Sequence, residues 1–164
     1  MIVKWDRKNR YLNLGTIRVG CWSKVRNELN GLRPRKGEHD TCISINADGS
    51  PGVPIMPRPF PAGNWKIIGI KEHPDPAENH GYLYPVFLLT DAVNEVDEWI
   101  LDENGFYLRP SGRKVKDHFN GLHFSTSTYT QGCIRVETEK DVRTMWAIVK
   151  GELAAGREIP FNVV

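Results

Sequence analysis

Residues 11 to 22 read Tyr11-Leu12-Asn13-Leu14-Gly15-Thr16-Ile17-Arg18-Val19-Gly20-Cys21-Trp22. Apolar and polar side chains alternate on both sides of Gly15, the period of a half-buried strand, and a glycine between two such runs marks the turn of a hairpin. Further short apolar runs predict strands at Thr41 to Ile45, Trp65 to Ile70, Tyr82 to Thr90, Phe106 to Leu108, Gly121 to Phe124 and Ile159 to Val164. Between them lie charged or turn-rich stretches, Arg33 to Asp40, Asn46 to Gly52 and His73 to Gly81. Pro54, Pro57, Pro59 and Pro61 impose an extended path, because each ring fixes φ and biases the residue before it away from the helical region.

Helical signals are sparse. Ser23 to Asn30 fits a short helix or a strand edge, and Asp91 to Trp99 is read as a short helix. The clearest case follows Thr138, where Asp141 stands three residues on in the manner of a capping box and Val142, Met145, Trp146, Val149 and Leu153 recur at helical spacing. Glu137, Glu139 and Asp141 favour the positive end of that helix, and Gly151 or Gly156 ends it. The expected fold is mainly β, sandwich or barrel-like, with one or two helices.

A chain of 164 residues fits one domain over 1–164, and 40% hydrophobic with 26% charged residues is ordinary for a globular protein. Its 22 basic and 20 acidic side chains leave a net charge of +2, too balanced a surface for phosphate-backbone binding, so no nucleic acid is expected. No apolar run approaches the ~20 residues of a membrane span. Met1-Ile2-Val3-Lys4-Trp5-Asp6 does not open a secretory leader, which predicts synthesis in the cytoplasm. Cys21, Cys42 and Cys133 lack the paired spacings of a zinc site or a disulfide framework; Cys21 and Cys42 read as small buried hydrophobes, and no metal or cofactor is expected.

Chemistry concentrates in residues 121 to 136, Gly-Leu-His-Phe-Ser-Thr-Ser-Thr-Tyr-Thr-Gln-Gly-Cys-Ile-Arg-Val. His123, ten positions before Cys133, is suited to take the thiol proton or to stabilise a thiolate, lowering a pKa that is ordinarily about 8.5. Gly132 permits a sharp turn that aims its amide and that of Cys133 at an oxyanion, and Arg135 is suited to a bidentate grip on a carboxylate or to pairing with an acidic residue of the domain. On spacing alone, a buried thiol and a hydrogen-bonded core histidine account for the pair better than a dyad does. His118 is the competing base, in a stretch (Lys116 to Asn120) read as solvated loop. His39, His73 and His80 lie in polar loops and read as exposed side chains without a role.

His123 together with Thr130-Gln131-Gly132-Cys133-Ile134-Arg135 resembles the signature of the YkuD-type L,D-transpeptidases, a histidine followed by Ser/Thr-x-Gly-Cys-[Ile/Val]-Arg. Pro61-Ala62-Gly63-Asn64-Trp65-Lys66-Ile67 resembles that family's Pro-x-Gly-x-aromatic-x-Ile turn into a strand. Gln131 stands where the family usually has a second histidine, and the ten-residue gap is similar to the compact variant of type VI secretion effectors of L,D-transpeptidase type. The resemblance implies the L,D-transpeptidase catalytic-domain fold. It implies Cys133 as nucleophile, His123 as base, and Gly132, Arg135, Ser125 and Thr130 as oxyanion or substrate-binding residues, with Ser125, Ser127 and Tyr129 as candidates to orient the imidazole. The implied substrate is the peptide stem of peptidoglycan, in periplasm or cell wall after delivery, with an immunity or delivery protein as partner. The alternatives are a cysteine amidase acting on another peptide bond and a cell-wall-binding domain that has lost catalysis.

Overall fold

The computed structural model describes residues 1–23, 42–72, 86–124 and 132–164. Its strands, in chain order, are β1 (Val3–Asp6), β2 (Tyr11–Leu14), β3 (Ile17–Trp22), β4 (Cys42–Ile45), β5 (Pro51–Ile55), β6 (Gly63–Glu72), β7 (Val86–Thr90), β8 (Asn94–Leu101), β9 (Tyr107–Asp117), β10 (Gly121–His123), β11 (Ile134–Val136) and β12 (Ile159–Val163). The helix α1 spans Glu139–Ala154.

Alternation at 11–22 becomes the β2–β3 hairpin, with Leu14 opposite Ile17 and Gly15 turning the chain at φ 61°. Its apolar positions Leu12, Leu14, Val19 and Cys21 all point to one buried side. A strand absent from the sequence reading, β1, pairs antiparallel with β2 and parallel with β12, Val3 opposite Phe161. That pairing closes a barrel in the order β1-β12-β6-β7-β10-β11-β3-β2. A barrel has no open edge, so every strand in it finds a hydrogen-bonding neighbour on both sides.

The core inside holds Trp5, Phe60, Leu88, Leu122, Ile134 and Phe161, and α1 adds Val142, Met145 and Val149 where it packs against β6 and β7. Burying each such large side chain contributes about 1.5–3 kcal/mol. Thr138 caps α1 by accepting the Asp141 N–H at 3.1 Å. The helix ends past Gly151 at Ala155, and Gly156 takes φ 72° while the N–H groups of Gly156 and Arg157 return to the carbonyls of Leu153 and Glu152 at 3.0 Å. That arrangement satisfies the carbonyls a helix end leaves open.

The strands β4-β5-β8-β9 form a separate four-stranded sheet. Asp91 to Trp99 is therefore no helix: β8 pairs with β9, Val96 opposite Val115 and Asp97 opposite Lys114. Val93, Val96 and Ile100 fit a helical stripe as well as a strand, and in so short a run the long partner strand β9 decides. The sheet is tied to the barrel at the end of β9, where Asp117 accepts the Ile45 N–H at 2.7 Å and His118 donates its N–H to the Ile45 carbonyl at 2.9 Å. Lys116 to Asn120 is correspondingly not a solvated loop, since Asp117 is 3% and Asn120 5% exposed. Polar residues there are buried because they bond to one another and to β4, which composition does not reveal. Among the described residues no helix is long and apolar enough to cross a membrane.

Candidate active site

The strands β10 and β11 run parallel and in register, Leu122 opposite Ile134 and His123 opposite Arg135. Side chains alternate between the faces of a strand, and Leu122 and Ile134 are sunk in the barrel core, so His123 and Arg135 project from the outer face. Cys133, the residue before Ile134, stands two places from Arg135, with its thiol hydrogen-bonded to the backbone of Gly121. Cys133 lies in the bend just before β11 and His123 closes β10, so the two approach the strand pair from opposite ends.

His123 is 2% exposed and stacks on Phe87 with ring centroids 5.1 Å apart. Burial pushes its pKa down to about 4; a hydrogen bond to the Phe124 backbone opposes that shift, and the Arg135 charge adds to it. The imidazole is thus neutral at pH 7, with one donor and one acceptor nitrogen. With the Phe124 carbonyl taking the ring N–H, the residue next in sequence orients the ring. Ser125, Ser127 and Tyr129, the candidates for that task, lie outside the described residues, as do Thr130 and Gln131.

Cys133 is half-buried. Desolvation pushes its thiol up to about 11; the Gly121 N–H and the Arg58 charge pull the other way, and Asp117 reinforces the rise. Burial outweighs the Gly121 N–H and the Arg58 charge that favour the thiolate, so at rest the cysteine is a thiol and the imidazole neutral. Gly132 adopts φ 127°, and a Cβ there would stand 3.1 Å from Asn120 Oδ1 and 3.2 Å from Arg58 Nη1. Both the backbone and the lack of space call for glycine.

Arg135 is 8% exposed, its guanidinium 4.5 Å from the Trp22 ring centroid and 5.1 Å from that of Phe124. Glu137 is the acidic residue that supports its charge. Held between aromatic faces, it is a rigid cation beside the imidazole rather than an extended arm.

Three residues that the sequence did not single out complete the site. Arg58 and Asp117 form a buried ion pair, and Asn120 Nδ2 lies 3.4 Å from Asp117 Oδ2. Together they frame Gly132 and set charges around the Cys133 thiol. Arg58 stands between Pro57 and Pro59, far along the chain from the other two, and only an unexpectedly charged residue within a proline-rich run hints at it. Cys42 is buried nearby, its thiol raised to about 12 chiefly by desolvation, with Cys133 among the charges it senses. His118 is half-buried beside Phe119. His39, His73 and His80 lie outside the described residues, and among those described no group of His, Cys, Asp and Glu side chains is arranged to hold a metal ion.

The second motif, Pro61 to Ile67, lies at the entry to β6: Gly63 has φ 146°, the Trp65 indole donates to the Pro61 carbonyl at 3.1 Å, and Ile67 enters the core. A Cβ on Gly63 would meet the Trp65 ring at 3.0 Å, which makes the glycine part of the turn. No family model, curated protein or solved structure matches this chain.

Proposed function

We propose that the protein is a cysteine acyltransferase acting on the peptide stems of peptidoglycan, as an L,D-transpeptidase or L,D-carboxypeptidase on the catalytic-domain fold of that family. The observation that supports this reading is the in-register parallel pairing of β10 with β11, which sets His123 opposite Arg135, two residues after Cys133 in the chain. His123 takes the Cys133 proton as sulfur attacks the stem carbonyl, and the N–H groups of Gly132 and Cys133 receive the oxyanion. The imidazolium returns that proton to the departing D-alanine amine. A stem amine then resolves the thioester to a cross-link or exchange product, or water resolves it to the shortened stem. Arg135 supports charge beside the imidazole, and the family resemblance gives Ser125 and Thr130 as substrate-binding residues. The site of action is periplasm or cell wall after delivery, with an immunity or delivery protein as partner.

The raised Cys133 thiol favours one rival, a wall-binding domain without catalysis, because an inert buried cysteine has that character. Mass spectrometry of tetrapeptide muropeptides separates the two. The wild type is expected to remove or exchange the terminal D-alanine, Cys133→Ala to do neither, and His123→Ala to be slower by about 10²- to 10⁴-fold. Unchanged muropeptides with all three proteins, and no alkylation of Cys133 near neutral pH, would leave the binding domain standing.

A further inference from the structure

A cleft of about 720 Å³ opens beside the β1–β2 turn, walled by Trp5, Arg7, Lys8, Arg10, Trp22 and Pro59. It borders the site already described: Trp22 carries the Arg135 guanidinium on its ring, and Pro59 directly follows Arg58. Three cations within four residues repel one another, and among the described residues none of Arg7, Lys8 and Arg10 is in an ion pair. Asp6, the nearest acid in sequence, is turned to other work, accepting the Asn9 N–H at 3.0 Å and the Asn9 side chain at 2.8 Å. That brace holds the turn, as do the Arg7 N–H on the Val164 carbonyl at 3.0 Å and the Cys21 N–H on the Arg10 carbonyl at 2.9 Å. The cations are therefore presented on a fixed backbone.

The second observation is in the walls of the cleft. Trp5, Trp22 and Pro59 give it apolar sides directly beside the three cations. Unmatched cations and aromatic walls together ask for an acceptor-rich anion.

We propose that this cleft binds the carboxylate groups of an acidic peptide, and so holds the anionic stem while its scissile bond lies at Cys133. The choice of occupant rests on the function proposed above; the anion site itself does not. Calorimetry on the Cys133→Ala protein tests it without turnover. The probes are the stem tetrapeptide with its carboxyl groups free, the same peptide with them amidated, and inorganic phosphate. The free peptide is expected to bind at least about tenfold more tightly than the amidated one, and to weaken as salt rises. In the Arg7→Gln/Lys8→Gln protein that preference should shrink by about tenfold with the melting temperature unchanged, because both side chains are exposed. Arg10→Asn is the variant that keeps the turn, since asparagine tolerates the φ of 59° found there. Equal binding of the two peptides, full affinity in the charge-removed variants, or binding of phosphate with no binding of the free peptide would each overturn the proposal. Turnover by a wild type whose Arg7→Gln/Lys8→Gln variant keeps the same kcat/KM sinks this inference and spares the acyltransferase. Selective binding of the free peptide without turnover does the reverse.

Discussion

The β10–β11 pair and the β8–β9 ribbon are both two-strand units, yet they handle polar side chains in opposite ways. Every residue of β10 and β11 is buried, so Leu122 and Ile134 fill the barrel while His123 and Arg135 are covered on the other face. Along β8 and β9 every residue but Asp117 keeps some exposure, and Asp97 pairs with Lys114 and Glu98 with Arg113 on the sheet's surface. A charge in the first setting has few partners and little water, so its protonation state and geometry are set by named neighbours. In the second, solvent does most of that, and individual pairs matter little.

Removal of Asp117, the one buried residue of β9, at the end where the ribbon meets the barrel, has the largest expected effect. Asp117→Ala takes the partner from Arg58 and the acceptor from the Ile45 N–H, and should destabilise the protein by about 3–5 kcal/mol in urea unfolding. A loss below about 1 kcal/mol would mean that the pair is solvated and the contrast is overdrawn.

Acid probes the β10–β11 pair through His123. Its folded pKa of about 4 lies below the ordinary 6.5, so as pH falls the unfolded chain takes up the proton first. Stability contributed by the neutral, buried ring is complete above about pH 6.5 and is lost between there and about pH 4, amounting to roughly 3 kcal/mol. Unfolding free energies of wild type and His123→Gln should therefore diverge in slope across that window; parallel curves would show that the ring is not held neutral by burial.

The smallest effect belongs to the ribbon. Lys114 and Asp97 meet at 3.0 Å with both side chains largely in water, and Lys114→Ala should change stability by less than about 0.5 kcal/mol, an effect that salt erases. A larger, salt-resistant loss in the same urea titration would place the ribbon with the buried pair.

Local signals were legible in the sequence wherever one segment contains its own reason. The β2–β3 hairpin follows from alternation around Gly15, and α1 from a cap, a stripe and a terminal glycine within twenty residues. The β8 segment reads as a helix because a few apolar residues fit both periods, and nothing local marks β1, whose meaning is the closure it makes with β12 at the far end of the chain. For the site, one stretch of sequence contains His123, Gly132, Cys133 and Arg135. Tertiary structure alone brought Arg58, Asp117 and Asn120 to Gly132, turned Phe124 into the group that orients the imidazole, and raised the thiol's pKa where the motif alone predicts a lowered one. The division has one physical cause: periodicity and turn chemistry act between neighbours in the chain, whereas burial and charge act between neighbours in space, and only the closed barrel with its attached sheet decides who those are.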